Sequence, residues 1–145
     1  MNKITVNLGG KERTLKFTML TQELWEKLSI QHFSAEDFGE FSNNTQTIGK
    51  VGLASAIIVY AGLKAYADLT QTKPDFTLED CLDWVEELMI SEDDVVLKSI
   101  YDTWTASAAY KSRQELKKKM DEQIGMQSEG TPLVSLESDQ SITTN

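Results

Sequence analysis

The sequence predicts a mainly α (α+β) fold, in which an N-terminal β-hairpin packs on a bundle of about four to five helices and a disordered tail follows. Three observations carry that prediction. Apolar and polar residues alternate strictly up to Gly9-Gly10, a long apolar stretch runs between Thr47 and Leu69, and after Gly125 the chain becomes rich in Ser, Thr, Glu and Asp with no Lys or Arg. The chain has 145 residues, 40% of them hydrophobic, which supplies one modest core and not two. The expected organisation is a single helical domain over 1–124, with the hairpin at about 3–19, and a disordered polar and acidic tail over 125–145.

Within the hairpin, Ile4, Val6 and Leu8 share one face, and Thr5 and Asn7 share the other, the period-2 pattern of a half-buried strand. Gly9-Gly10 supplies the positive φ angles of a tight turn, and alternation resumes through Leu15, Phe17 and Met19, so residues 13–19 are expected to return as the second strand. A lone hairpin is marginal in water, so its apolar face is expected to dock on the helices. Thr21 reads as the N-cap of a short helix over 22–29, with Leu24 and Leu28 on one side and Trp25 beside them. Ser34, followed three residues later by Asp37, reads as a capping pair for a second short helix near Phe38 and Phe41, with residues 42–45 as a loop.

The stretch from Thr47 to Leu69 predicts the longest helix, and it carries two apolar stripes. Leu53, Ala56, Tyr60, Leu63 and Ala67 make one; Val51, Ala54, Ile58, Ala61 and Ala65 make the other. A helix apolar on two faces is either central in the core or keeps one face for a partner. Thr77 and Asp80 open a helix over 78–90 with Leu78, Leu82, Val85 and Met89 in its stripe, Cys81 and Leu88 flanking it and Trp84 outside it. Ser91 reads as the cap of a further helix that has Glu92, Asp93 and Asp94 in its first turn and Leu97, Ile100, Trp104 and Ala108 as its buried stripe. Beyond Tyr110 the apolar positions move to Leu116, Met120 and Ile124, among Lys111, Arg113 and Lys117-Lys118-Lys119.

Composition narrows the function classes. A formal net charge of -9 and a pI near 4.6 repel phosphate backbones, so no nucleic-acid partner is expected. The run Val51–Leu63 between Lys50 and Lys64 falls short of the roughly 20 residues of a membrane span, and no membrane association is expected. No signal peptide is read in MNKITVNLGG, and one cysteine, Cys81, fits a reducing compartment, so a cytoplasmic location is expected.

Chemistry-bearing constellations are sparse. His32 and Cys81 are the sole residues of their kinds and lack a third orienting group for nucleophilic catalysis. Asp80, Asp83 and Glu87, and the run Glu92-Asp93-Asp94, are acidic faces without the Gly-bearing loop of a dedicated cation site. Gly49-Lys50 mimics the end of a phosphate-binding loop, but Val51 stands where Ser or Thr would reach magnesium. The basic segment 111–119 lacks interleaved aromatics and sits at a helix end, where positive charge is ordinary. No catalytic, cofactor-binding or metal site is expected, and the chain reads as a protein-binding module.

The order of these features resembles the tail assembly chaperones of long-tailed bacteriophages of the siphovirus type. The resemblance covers about residues 3–110 and is carried by the hairpin ITVNLGGKERTLKF, by Tyr60-Ala61-Gly62-Leu63 within IIVYAGLKAY, and by Phe76-Thr77-Leu78-Glu79-Asp80 leading to Asp83-Trp84. It implies a protein that binds the tape-measure protein, keeps that long helical chain soluble, recruits tail-tube subunits and associates with itself. It also implies a site of action in the cytoplasm of the infected bacterial host and absence from the mature virion. The contact residues expected are Val51, Ile58 and Ala65 from the second stripe of the long helix, with Trp84 and Trp104 as aromatic anchors. The alternative is a small cytoplasmic protein-binding adaptor or regulatory module without catalytic activity.

Overall fold

The computed structural model describes residues 2–91 and 95–130, and the side chains of these except at 124–130. The order is β1 (Lys3–Leu8), β2 (Lys11–Lys16), α1 (Met19–His32), α2 (Ala35–Ser42), α3 (Ile48–Leu69), α4 (Leu78–Ile90), α5 (Val95–Ala106) and α6 (Ala108–Gly130). This is the α+β architecture expected, a two-stranded hairpin followed by helices.

The hairpin pairs Lys3 with Lys16 through Leu8 with Lys11, so Gly9 and Gly10 are its two turn residues. Their φ angles of 63° and 77° are those a two-residue primed turn demands, and a side chain would resist them. Ile4, Val6, Leu8 and Leu15 face inward, while the hydroxyls of Thr5 and Thr14 meet across the outer face at 2.9 Å. The second strand ends at Lys16, short of the expected residue 19. Thr18 instead occupies the N-cap position of α1, which starts at Met19, and Met19 is exposed. Thr21 is therefore not the cap expected. Its buried hydroxyl accepts from the Thr18 amide (3.0 Å) and donates to the Lys16 carbonyl (2.6 Å), tying the strand end to the first turn.

Two other helix starts follow the expected chemistry. The Ser34 hydroxyl accepts from the Asp37 amide (3.1 Å) while the Asp37 carboxylate accepts from the Ser34 amide (2.9 Å). Thr77 and Asp80 repeat this arrangement at 3.1 and 3.0 Å. Each reciprocal pair satisfies two amides that a helix leaves orphaned, and a cap of this kind is worth about 1 kcal/mol.

α3 is the central element: it packs on β2, α1 and α4. Both of its stripes are used, since Ala56, Leu63 and Ala67 of the first and Ala61 and Ala65 of the second are all buried, together with Ile57 and Val59 between them. The approach to β2 is close. A Cβ on Gly62 would lie 3.0 Å from the Cβ of Leu15 and 3.1 Å from the ring of Phe17. Over its whole 22 residues α3 is long and apolar enough to cross a bilayer by length and composition, which the shorter run Val51–Leu63 did not suggest. Around it the core collects Leu8, Leu15 and Phe17 from the hairpin and its exit, Cys81 and Val85 from α4, and Ile100 and Trp104 from α5. Burying a side chain such as Phe17 contributes about 1.5–3 kcal/mol.

The expected helix through Ala108 is broken at Ser107, which makes six helices among the described residues where four to five were expected. The Ser107 hydroxyl donates to the Trp104 carbonyl (2.6 Å) and accepts from the Tyr110 amide (3.2 Å), so one buried side chain ends α5 and starts α6. The break rotates the stripe by one position. Ala109 is buried and Ala108 exposed. Ser91 ends α4, its hydroxyl donating to the Leu88 carbonyl at 3.1 Å; the acidic first turn expected at 92–94 lies outside the described residues.

The chain divides into a compact unit that ends at Lys111 and a second unit that begins at Ser112. Within the second, α6 continues to Gly130 and takes in the first six residues of the expected tail, 125–130. Leu116 and Met120 are exposed on it, as are Lys117, Lys118 and Lys119. The remainder of the expected tail, 131–145, lies outside the described residues.

Candidate protein-binding surface

α3 and α4 run antiparallel, joined through residues 70–77, so the first turn of α3 lies beside the last turn of α4. Thr47 caps α3, its hydroxyl accepting from the Lys50 amide (3.4 Å), which places Ile48 in the first turn. At the opposite terminus Ile90 is the last residue of α4. The two isoleucines are 76% and 81% exposed, the two most exposed large hydrophobic side chains among the described residues. Between them lies a groove of about 460 Å³ lined by Ile48, Gly49, Gly52, Glu86, Met89 and Ile90. Bare apolar side chains grouped around a concavity make this the candidate surface for binding another protein.

The expected contact residues are distributed between this surface and the core. Val51 is half-buried and lies three residues from Ile48, hence on the adjoining side of the same helix. Ile58, two turns further on, is half-buried and packs on the core. Ala65 is 2% exposed, under the α1–α3 cleft, so it is core in this chain and not contact surface. Trp104 is corrected in the same way. It is 5% exposed, its Nε1 donates to Gln22 Oε1 at 2.6 Å, and its rings meet Trp25, Tyr101 and Tyr110 at centroid separations of 5.5, 5.8 and 4.8 Å.

Trp84 also has an occupation inside the chain. Its indole edge lies against the α-carbon of Gly9, and the Arg13 guanidinium stacks on its face 4.5 Å from the ring centroid. Arg13 further donates from Nε to the Leu8 carbonyl (3.0 Å) and from a terminal nitrogen to Asp75 (2.9 Å). Lys11 Nζ donates to the other Asp75 oxygen, also at 2.9 Å. These donors hold the Asp75 carboxyl down at about 2, first through Lys11 and then through Arg13. Trp84, Arg13 and Asp75 thus clamp the hairpin to α4 and to the loop before it, and Arg13 and Asp75 also line a cleft of about 180 Å³.

Residues weighed for chemistry are placed elsewhere. Cys81 is fully buried, and desolvation pushes its thiol up to about 12, so it stays protonated. His32 is exposed in the last turn of α1. Asp80 is committed to its cap, Lys50 pairs with Asp37 at 3.2 Å, and among the described residues no three His, Cys, Asp or Glu side chains gather as a metal site.

The residues that matter most at the groove, Ile48, Gly49, Gly52 and Ile90, carried no periodic signal. They sit at helix ends, where a stripe begins or stops, and only the arrangement of the neighbouring helix determines whether such a residue is covered. Met89 was legible as apolar, but not as a groove wall. No protein-family model matches the chain, and no curated protein and no solved structure matches it.

Proposed function

We propose that this chain is a non-enzymatic tail assembly chaperone of a long-tailed bacteriophage, acting in the cytoplasm of the infected bacterial cell and absent from the mature virion. In this reading it binds the tape-measure protein, keeps it soluble, associates with further copies of itself and recruits tail-tube protein. It needs no cofactor, nucleic acid or membrane. The observation that supports it is the open α3–α4 groove with bare Ile48 and Ile90 at its rim, because an amphipathic helix binds by laying its apolar face into such a groove. An acidic surface keeps a complex with a long apolar chain in solution.

Co-expression with the tape-measure protein of the same genome tests the proposal. The partner is expected to move into the soluble fraction and to co-purify with this chain. A partner that stays equally insoluble with and without the chain overturns the reading. The groove spans the ends of two helices, a size that suits one helical segment, which also favours a one-to-one adaptor. Light scattering of the purified complex separates the two readings: many copies on one partner fit the chaperone, and a single discrete pair fits the adaptor.

A further inference from the structure

We propose that the α3–α4 groove selects an amphipathic helix whose apolar stripe is flanked by Lys or Arg, seated with an apolar side chain over Gly52 and a cationic one beside Glu86. This rests on the protein-binding reading above and assigns the partner's chemistry.

Shape comes from the floor. A Cβ added at Gly49 meets nothing within 4 Å, and one at the buried Gly52 touches only the end of the Met89 side chain, its sulfur at 3.9 Å, so neither glycine carries a side chain into the groove. Ile48, Met89 and Ile90 stand around it as apolar walls. Helix axes ordinarily pack about 8–10 Å apart, toward the lower figure where the contact residues are small, so two glycines on the floor let a partner helix come close and insert a side chain.

Charge comes from α4. Its sequence LEDCLDWVEELMI contains five acids and no Lys or Arg, and Glu79, Asp83, Glu86 and Glu87 are exposed. The nearest base on α3, Lys50, is occupied: its Nζ is 3.2 Å from Asp37 and 5.7 Å from the centre of the Phe33 ring. Glu86 lines the groove and pairs with no cation among the described residues. An apolar trough with one uncompensated carboxylate, Glu86, in its lining discriminates by charge, attracting a basic helix and repelling an acidic one.

The test uses the full chain and two synthetic helical peptides that share one Leu/Ile stripe, one flanked by Lys and the other by Glu. Fluorescence anisotropy is expected to give tighter binding of the Lys peptide at low salt, and Glu86→Lys is expected to shift the preference toward the Glu peptide by about fivefold or more. Gly52→Leu fills the floor and is expected to weaken both peptides by about tenfold or more. Leu is the better helix former, but at buried Gly52 it must displace the Met89 side chain, so the urea midpoint of this variant is measured beside its binding. Should Gly52→Leu fail to fold, Gly49→Leu, at an exposed position with free space around it, replaces it.

Equal affinity for the two peptides, or unchanged binding by the filled-floor variant, overturns the proposal. So does a wild-type dimer that Gly52→Leu converts to monomer, since a second copy then owns the groove. Peptide discrimination with a tape-measure protein that remains insoluble sinks the chaperone reading alone. A soluble tape-measure protein without peptide discrimination sinks the groove assignment alone.

Discussion

Alanine at Gly9 and alanine at Gly10 are expected to differ sharply, although the two glycines are neighbours in one turn. Both have positive φ, so Ala at either pays for a left-handed backbone, about 1–2 kcal/mol. At Gly10 that is the whole cost, because nothing lies within 4 Å of the new Cβ. At Gly9 the Cβ would fall 2.5, 2.6 and 2.8 Å from Nε1, Cε2 and Cζ2 of Trp84, well inside contact distance. The indole cannot swing aside cheaply, since Arg13 stacks on its face and is itself held by Asp75. Overpacking of this kind adds about 1–3 kcal/mol, for a total of about 2–5 kcal/mol against a typical domain stability of about 5–15 kcal/mol. Urea unfolding followed by circular dichroism measures both variants. A cycle with Trp84→Ala isolates the contact: in that background Gly9→Ala should cost no more than Gly10→Ala does. Equal destabilisation by the two alanines in the wild-type background would show that Trp84 is not pressed on the turn, and the clamp argument would be wrong.

Three further outcomes are expected. Asp75 is held near 2 against an ordinary 3.8, so it contributes stability that is fully present above 3.8 and is lost as the pH falls toward 2; Asp75→Asn should lower the urea midpoint at neutral pH and flatten its fall across that window. An unaltered pH profile in that variant would assign the acid sensitivity to other carboxylates. The Cys81 thiol, buried and raised to about 12, should resist a disulfide reagent in the native protein and react in full once the chain is unfolded; fast labelling of the native state would contradict the burial. Trp104→Phe leaves Gln22 Oε1 buried without its donor, at a cost of about 1–3 kcal/mol, and Gln22→Met in the same chain should recover part of it; strict additivity in a thermal or urea cycle would mean that the bond carries no coupling.

Features set by chemistry within a few residues were legible without coordinates. The alternation around Gly9-Gly10 implies one hairpin register, because a one-residue slip would turn Ile4, Val6 and Leu8 outward. Ser34 with Asp37 and Thr77 with Asp80 mark helix starts, because a hydroxyl and a carboxylate three residues apart reach each other's amides whatever surrounds them. The limits of local reading show at Thr21 and Ser107. Both are buried hydroxyls: Thr21 answers the end of β2, and Ser107 interrupts what reads as one continuous helix.

The candidate surface divides along the same line. An amino-acid sequence by itself determines which side chains are apolar and which face of a helix they share, and that was enough to identify α3 as a helix with more than one packing face. It does not determine which faces other segments cover. Trp84 and Trp104 looked alike as exposable aromatics, yet one is held against the hairpin turn and the other bonds to Gln22, 82 residues away in the chain. Ile48 and Ile90 looked like unremarked helix ends and stand bare because α3 begins where α4 stops. Exposure is a property of non-local packing, so only the tertiary structure decided where this protein keeps its open apolar surface.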